Sequence, residues 1–204
     1  GKEENKEMEF WTQEEFQAFL ECVADKPISY YAFEMLYWTG IREGELLALI
    51  SADFNFEKKT LRINKPYQRL EGKDVITDPK TPKSNRTIVM PDFLAVEMED
   101  FISSLYGIKD DDRIFTISKS YPHHEMDRGA KLAGVKRIRI HGLRHSHISL
   151  LINLGFSALA IGERAGYEAV DITYHYAHLF PTVQTDMASQ LETEREALVN
   201  VRKE

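Results

Sequence analysis

The chain has 204 residues, of which 43% are hydrophobic and 29% are charged. This balance excludes a wholly disordered protein and allows one buried core. The sequence contains no apolar run of about eighteen residues and no apolar segment behind its charged N-terminus, so we predict neither a membrane span nor a signal peptide. We therefore expect a cytoplasmic location without a membrane partner. The single cysteine, Cys22, excludes an internal disulfide and a cysteine-rich zinc site.

The N-terminal part of the chain predicts a linker followed by three helices. Residues 1–10 are mostly charged and lack hydrophobic periodicity, so we interpret them as the end of a linker and residues 11–204 as one domain. The segment Thr12-Gln-Glu-Glu15 is a capping box that predicts a helix reaching to about residue 24. A largely apolar helix then begins at Pro27 and ends near residue 39, and a third is expected over 43–50.

The middle and last parts of the chain predict a small sheet followed by more helices. Alternating or β-branched residues between charged and Gly/Pro turns indicate three short strands at 54–56, 60–63 and 87–90. Six helices are expected at about 92–105, 122–133, 144–154, 157–165, 170–177 and 185–201. The last carries an apolar stripe that includes Met187 and Leu191. The predicted fold class is α+β, mainly α, with a small three-stranded antiparallel sheet at one edge.

Charge is distributed unevenly along the chain, whose formal net charge is −7. Residues 58–88 hold nine bases against three acids, and residues 128–162 hold six bases and no acid. Two basic regions on an acidic chain predict one positive face for a polyanion such as DNA. For the first region alone, a solvated lysine-rich edge strand is the alternative. The residues predicted to contact DNA are Lys83, Arg86, Arg137, Arg139 and His145.

Arg42 and Arg144 are candidates for a phosphate site. Each guanidinium presents a planar fork of donors that matches two phosphate oxygens and stays charged at neutral pH. Arg42 stands at a predicted helix start, and Glu45, three residues on, would orient it. His141, three residues before Arg144, would donate to a phosphate oxygen or move a proton. The alternatives are an ordinary surface arginine and a capping or packed histidine.

Metal chemistry is not predicted. The histidines at positions 141, 145 and 147 lack a paired carboxylate at a metal-ligand spacing, and the sequence has no HExxH pattern. We therefore predict no metal site.

Four segments in order along the chain carry a family resemblance. They are Thr39-Gly-Ile-Arg42-Glu-Gly-Glu45, Pro79-Lys80-Thr81, His141-Gly-Leu-Arg144-His145, and Gly166-Tyr167 followed by Tyr176-Ala-His178. Together they resemble the tyrosine recombinase (phage-type integrase) family over about residues 11–191. The resemblance implies the helical catalytic domain of a DNA breaking and rejoining enzyme, preceded by a DNA-binding domain to which the linker would lead.

The resemblance also implies a site and a reaction. Arg42, His141 and Arg144 would be catalytic, Lys80 would protonate the departing 5′ oxygen, with Lys83 as its competitor, and Tyr176 would form a 3′-phosphotyrosyl link. Tyr174 is the rival nucleophile, and Tyr167 stands where the family has His or Trp. A phenol there would donate a hydrogen bond but supply no positive charge.

The implied function is site-specific recombination for a phage or mobile element, with no cofactor. The implied partners are double-stranded DNA, further copies of the chain in a tetramer on synapsed sites, and a DNA-bending accessory protein or excisionase. The last helix would dock on a neighbouring copy, unless it packs on its own core. The alternative functions are a type IB topoisomerase-like or telomere-resolving strand transferase, a catalytically impaired DNA-binding relative and, last, a metal hydrolase.

Overall fold

The computed structural model describes residues 8–79 and 81–201, with side chains up to residue 197 in the last helix. The predicted general acid Lys80 and most of the predicted linker therefore lie outside the described residues. The helices in this part of the chain are α1 (Gln13–Val23), α2 (Pro27–Thr39), α3 (Glu43–Ala48), α4 (Asp92–Ser104), α5 (Tyr121–Ala133), α6 (Ile140–Asn153), α7 (Ala158–Ala165), α8 (Ala169–Tyr176) and α9 (Gln184–Val201). The strands are β1 (Phe54–Asn55), β2 (Thr60–Ile63), β3 (Tyr67–Leu70), β4 (Lys73–Ile76) and β5 (Arg86–Val89).

The first two helices begin and end where local chemistry requires. The hydroxyl of Thr12 accepts a hydrogen bond from the Glu15 backbone N–H at 3.2 Å and caps α1. Pro27 occupies the first turn of α2, where its missing N–H costs nothing. Gly40 ends α2 with a φ of +67°, and a Cβ there would lie 2.5 Å from the ring of His147. Backbone conformation and close packing both require glycine at position 40.

The strands form two separate sheets. The first has the order β1-β2-β5 and is antiparallel throughout, with Leu61 opposite Phe54 and Ile88. This confirms the predicted α+β fold class, mainly α, with a three-stranded sheet. The second is the β3-β4 hairpin, which the sequence analysis did not predict. Only Tyr67 of its strand residues is buried, and its turn is Glu71-Gly72, both with positive φ, rather than the common Asn-Gly or Asp-Gly.

The buried apolar residues form two clusters. The larger one contains residues from each of the helices α1 through α5 and from the three-stranded sheet, and it includes Trp11 and Phe115. The smaller one, called here the second cluster, is contributed by α6, α7 and α8 and comprises Ile148, Ile152, Ile161, Ala165, Ile172 and Tyr176. Burial of these side chains is the main force that holds α8 against the rest of the domain. Tyr176 is thus fixed by packing.

Two helices differ from expectation in ways that matter for the site. Helix α6 begins at Ile140, four residues earlier than predicted, so that His141, Arg144 and His145 lie on its first two turns. The described side chains of α9 are exposed, Met187 by 50% and Leu191 by 71%, so the interpretation that α9 packs on its own core is wrong for this structure. In the part of the chain that the structure describes, no helix is both long and apolar enough to span a bilayer.

Candidate active site

Arg144 lies at the centre of the site and is 1% exposed. Its Nη1 donates to the carbonyl of Gly40 at 2.5 Å, and its Nη2 donates to the carbonyl of Ala165. These carbonyls lie at the C-terminal ends of α2 and α7, where the helix dipole favours a cation. Burial and the charge of Arg42 lower the pKa of Arg144 to about 10, which leaves the guanidinium charged at neutral pH.

Arg42 is held beside this centre by Glu45, as the sequence predicts. Its Nη1 donates to Glu45 Oε1 at 3.1 Å, and its backbone N–H donates to Oε2 at 2.8 Å. Burial opposes ionisation of Glu45, but the hydrogen bonds and charges of Arg86 and Arg42 outweigh it and lower the pKa of the carboxyl. Glu45 is therefore an anion that fixes the Arg42 guanidinium, whose side chain remains 34% exposed.

Arg86 has a different position from the one expected. The sequence predicts that Arg86 contacts DNA, whereas its guanidinium lies inside the domain. Its Nη1 and Nη2 donate to the two oxygens of Glu45 at 2.9 and 3.0 Å, and its Nε donates to the Arg164 carbonyl at 2.8 Å. The side chain is 6% exposed. This geometry corrects the expectation, because a buried bidentate ion pair leaves Arg86 to support Glu45 rather than to reach a phosphate.

Tyr167 lies over both arginines. The Cζ atoms of Arg144 and Arg42 lie 4.4 and 5.2 Å from the centroid of its ring. These distances are those of cation–π contacts, which stabilise a cation through the negative face of the ring. Gly166, with a φ of +73°, ends α7 and turns the chain so that Tyr167 faces the site. The residue that departs from the family pattern therefore still contacts both guanidinium groups.

Tyr176 points into the same site. The residue is 2% exposed, and its hydroxyl oxygen lies 2.5 Å from Nδ1 of His145. Burial raises the pKa of Tyr176 above its ordinary value, with Tyr167 adding to the rise and Arg144 opposing it. The phenol is therefore protonated at neutral pH. Tyr174, the rival nucleophile, is 81% exposed, because two residues along a helix turn the side chain by about 200°.

His141 and His145, both on α6, are neutral in this site. Burial, followed by His141, Arg144 and His175, lowers the pKa of His145 to about 4. The side chain of His141 lies at the surface, yet desolvation by its neighbours and the charges of Arg144 and Arg42 lower its pKa to about 4 as well. The two rings meet edge to face, with centroids 4.8 Å apart. A bound phosphate would offset the positive charges and raise both pKa values.

The remaining predicted DNA contacts lie at different distances from this centre. Arg139 is exposed and, with Arg42, His141 and Arg144, lines a cavity of about 540 Å³. Lys83 lies at the rim of a groove of about 940 Å³ that also contains Arg42 and Tyr167, and its Nζ is 2.5 Å from Glu168 Oε2. Arg137 donates to Asp127 at 2.6 Å on the surface and does not line these two cavities.

One arginine that assembles the site, Arg164, was not predicted from the sequence. Arg164 donates through Nε to His147 Nε2 at 3.1 Å, and through its Nη atoms to the carbonyls of Val89 and Trp38 at 2.9 and 3.1 Å. It thereby ties α7 to α2, α6 and the end of β5. A basic residue in the last turn before Gly166 was the available signal, and such residues are common at helix ends.

The buried Tyr176 shares one site with two arginines on a mainly helical domain with a small sheet, an arrangement that can bind a phosphate group next to a hydroxyl. Comparison with known proteins agrees with this. The model of the phage integrase family matches residues 9–182. The ICEBs1 integrase of Bacillus subtilis (strain 168) is 31% identical over 202 residues, covering 92% of this chain and 55% of that protein. The chain therefore spans about half the length of this relative.

Two solved structures share the fold. The integrase of transposon Tn1549, in complex with a circular intermediate DNA, superposes with a TM-score of 0.75 at 20% identity, over 96% of this chain and 68% of that one. The catalytic domain of bacteriophage HP1 integrase gives 0.63 at 20% identity, over 90% of this chain and 95% of that one. The chain belongs to the phage integrase family, which confirms the resemblance to tyrosine recombinases.

Proposed function

We propose that this chain is the catalytic domain, over residues 11–204, of a site-specific DNA recombinase of a phage or mobile element. The observation that carries the proposal is that residues matching the family motifs share one site: the ring of Tyr167 covers Arg42 and Arg144, and Tyr176 lies close enough to Arg144 and Tyr167 for both to act on its pKa. The ICEBs1 and Tn1549 integrases support the same assignment, because both are integrases by name and the second is that of a transposon.

The arrangement supports an in-line displacement at phosphorus. The Tyr176 oxygen attacks the scissile phosphate while Arg42 and Arg144 bind its non-bridging oxygens and stabilise the charge that develops on them. The bond to the 5′ oxygen breaks, and the product is a 3′-phosphotyrosyl link together with a free 5′ hydroxyl. Attack of another 5′ hydroxyl on this link rejoins the strands, so the ester conserves the energy of the broken bond.

The proposed proton donor to the 5′ oxygen is Lys80, with Lys83 as the alternative. Lys83 is held by Glu168 across the groove, so its ammonium is already engaged by a carboxylate. His141 and Tyr167 complete the phosphate site as hydrogen-bond donors. The arginines supply the positive charge that such a transition state needs, and we propose that no metal or other cofactor takes part.

Double-stranded DNA is the proposed substrate. The groove beside Tyr167 is bordered by Lys65, Arg69, Lys83 and Lys119, which place positive charge along a path that leads to Arg42. Lys and Arg side chains bind the phosphate backbone by releasing its counterions. Arg139, at the other side of Arg144, extends this positive surface. A DNA-bending accessory protein or an excisionase is the further proposed partner.

The direct test uses a nicked suicide substrate that carries the element's own end, followed by denaturing electrophoresis. The proposed function predicts that a covalent protein–DNA band forms even in the presence of EDTA. Noncovalent binding without that band would instead identify a catalytically impaired relative. Rejoining of the same strand, or hairpin ends, would identify a topoisomerase-like or telomere-resolving activity.

Tyr167 is expected to act as a donor to the phosphate. Tyr167→Phe keeps the ring over both arginines but removes the hydroxyl, and we expect the cleavage rate to fall about tenfold to a hundredfold, the value of one hydrogen bond to a charged oxygen. Tyr167→His restores a donor and should cleave faster than the Phe variant. Single-turnover rates of both on one suicide substrate check this order. The reverse order would show that Tyr167 serves packing alone.

We propose that α9 docks on a neighbouring copy in a tetramer on synapsed sites. The support is its exposure, with Met187 and Leu191 uncovered on a helix of 18 residues. Deletion of residues 184–204 should spare the fold and half-site cleavage, since the described side chains of α9 lie in solvent. It should remove cooperative assembly on paired sites, measured by native gel shift. Loss of the thermal transition on truncation would contradict this proposal.

A further inference from the structure

His145 contacts the reacting atom of the proposed nucleophile directly. Its Nδ1 lies 2.5 Å from the Tyr176 hydroxyl oxygen, close enough for a hydrogen bond. The contact joins α6 to α8 across 31 positions of the chain; Tyr176 is buried and His145 is half-buried. His141, the histidine of the family motif, contacts the ring of His145 instead. The sequence analysis assigns His145 only a DNA contact.

The protonation states of the two side chains show which of them donates the hydrogen bond. Tyr176 is a protonated phenol, since its pKa is raised, and His145 is a neutral imidazole, since its pKa is lowered to about 4. The titratable and charged groups that act on His145 are His141 and Arg144 from its own helix and His175 from α8. In the neutral ring, one nitrogen accepts while the other carries the proton. The pair therefore favours a hydrogen bond from the phenol to Nδ1.

We propose that His145 is the general base that takes the proton from Tyr176 during DNA cleavage. This inference rests on the proposed function. As the Tyr176 oxygen forms its bond to phosphorus, the phenolic proton moves to Nδ1 of His145 and the bond between phosphorus and the 5′ oxygen breaks. The 5′ oxygen takes its proton from the general acid proposed above. In rejoining, the His145 imidazolium returns its proton to Tyr176 as the ester bond breaks.

The electrostatics of the site couple this base to substrate binding. In the empty site, Arg144 and the low polarity around His145 disfavour its protonated form, so the tyrosine keeps its proton. A phosphodiester brings one negative charge between the arginines, which offsets their repulsion and stabilises an imidazolium beside them. His145 therefore becomes basic when the scissile phosphate is in place.

The test compares His145→Gln and His145→Ala with the wild-type chain in single-turnover cleavage of a suicide substrate. General bases contribute a factor of about 10² to 10⁴, so we expect both variants to be slower by about a hundredfold or more with little change in DNA affinity. His124→Gln, at an exposed position of α5 outside the site, is the matched control and should cleave at the wild-type rate. Near-normal cleavage by His145→Gln would overturn the inference.

The pH profile separates a base from a positioning residue. Wild-type cleavage should fall at acid pH, as His145 in the DNA complex becomes protonated, and should level off above that pKa. Cleavage by His145→Gln should instead keep rising by about tenfold per pH unit through neutrality, because only the small tyrosinate fraction reacts. Parallel profiles for the two proteins would mean that His145 only positions Tyr176, and the inference would be wrong.

A second substrate shows whether His145 acts on the proton of Tyr176 or on that of the leaving group. A 5′-bridging phosphorothiolate gives a leaving thiolate that needs no proton, so it should rescue a Lys80→Ala variant but leave the His145 defect in place. Rescue of His145→Gln would place its action at the leaving group and refute the inference. The absence of a covalent band from the wild-type chain would reject the proposed function itself.

Independently of cleavage, ¹⁵N NMR of the free chain should show Nδ1 of His145 unprotonated, and a protonated Nδ1 would also refute the inference.

Discussion

Replacement of Tyr176 by phenylalanine is expected to abolish the covalent protein–DNA band while leaving noncovalent binding nearly intact. The change removes the oxygen that forms the bond to phosphorus but keeps the ring in the second cluster, where the residue is 2% exposed. The remaining ring still fills the space between α6 and α8, so the thermal transition should stay close to that of the wild type. Denaturing electrophoresis after incubation with a suicide substrate measures the band, and a gel shift measures binding.

Tyr174→Phe is the matched control. It makes the same chemical change two residues away, on a side chain that is 81% exposed, and it should cleave normally. If the Tyr174 variant were the inactive one, helix α8 would have to rotate by about half a turn when DNA binds, which would expose the second cluster. Inactivity of both variants with a normal thermal transition would show that the two tyrosines act together.

Much of the fold was predictable because its signals are local. The capping box at Thr12, Pro27 in a first turn and the glycines after α2, α5 and α7 act within a few residues, and the nine predicted helices occur with ends that differ by at most four residues. The β3-β4 hairpin was missed because its strands bury little apolar surface and its Glu-Gly turn is an uncommon signal. The start of α6 was placed late because Gly142 and three histidines obscure the helical pattern.

Less of the site was predictable, because its supporting contacts join residues far apart in the sequence. The family motifs place Arg42, Arg144 and Tyr176, and the spacing of three residues identifies Glu45 as a partner of Arg42. Nothing local distinguishes Arg86, buried against Glu45, from an exposed basic residue on an edge strand. The contact between His145 and Tyr176 likewise spans α6 and α8. Motifs identify the proposed reacting groups, but only the packing shows which residues hold them.

Arg42→Ala and Arg144→Ala are each expected to lower the cleavage rate by about a hundredfold or more, since each removes stabilisation of the charge that develops on the phosphate. DNA affinity should fall much less, because the groove retains its other basic side chains. Single-turnover cleavage and a binding isotherm at one salt concentration measure the two effects. Equal losses in both would instead make these arginines ordinary contacts to the DNA backbone.

Thermal unfolding should separate the two arginines. Arg42 is partly exposed and its partner Glu45 keeps Arg86, so Arg42→Ala should change stability little. Arg144 is 1% exposed and satisfies the buried carbonyls of Gly40 and Ala165. Its loss leaves two acceptors without a donor and costs on the order of 2 kcal/mol or more of unfolding free energy.

Lysine variants separate charge from geometry at the same two positions. Arg144→Lys keeps one charge but cannot reach both carbonyls and a phosphate with a single ammonium, so it should lose stability and activity together. Arg42→Lys loses the guanidinium fork while Arg86 still holds Glu45, so it should lose activity alone. An Arg144→Lys variant that unfolds like the wild type would show that the contacts to the ends of α2 and α7 contribute nothing to stability. In that case Arg144 would contribute to phosphate binding alone.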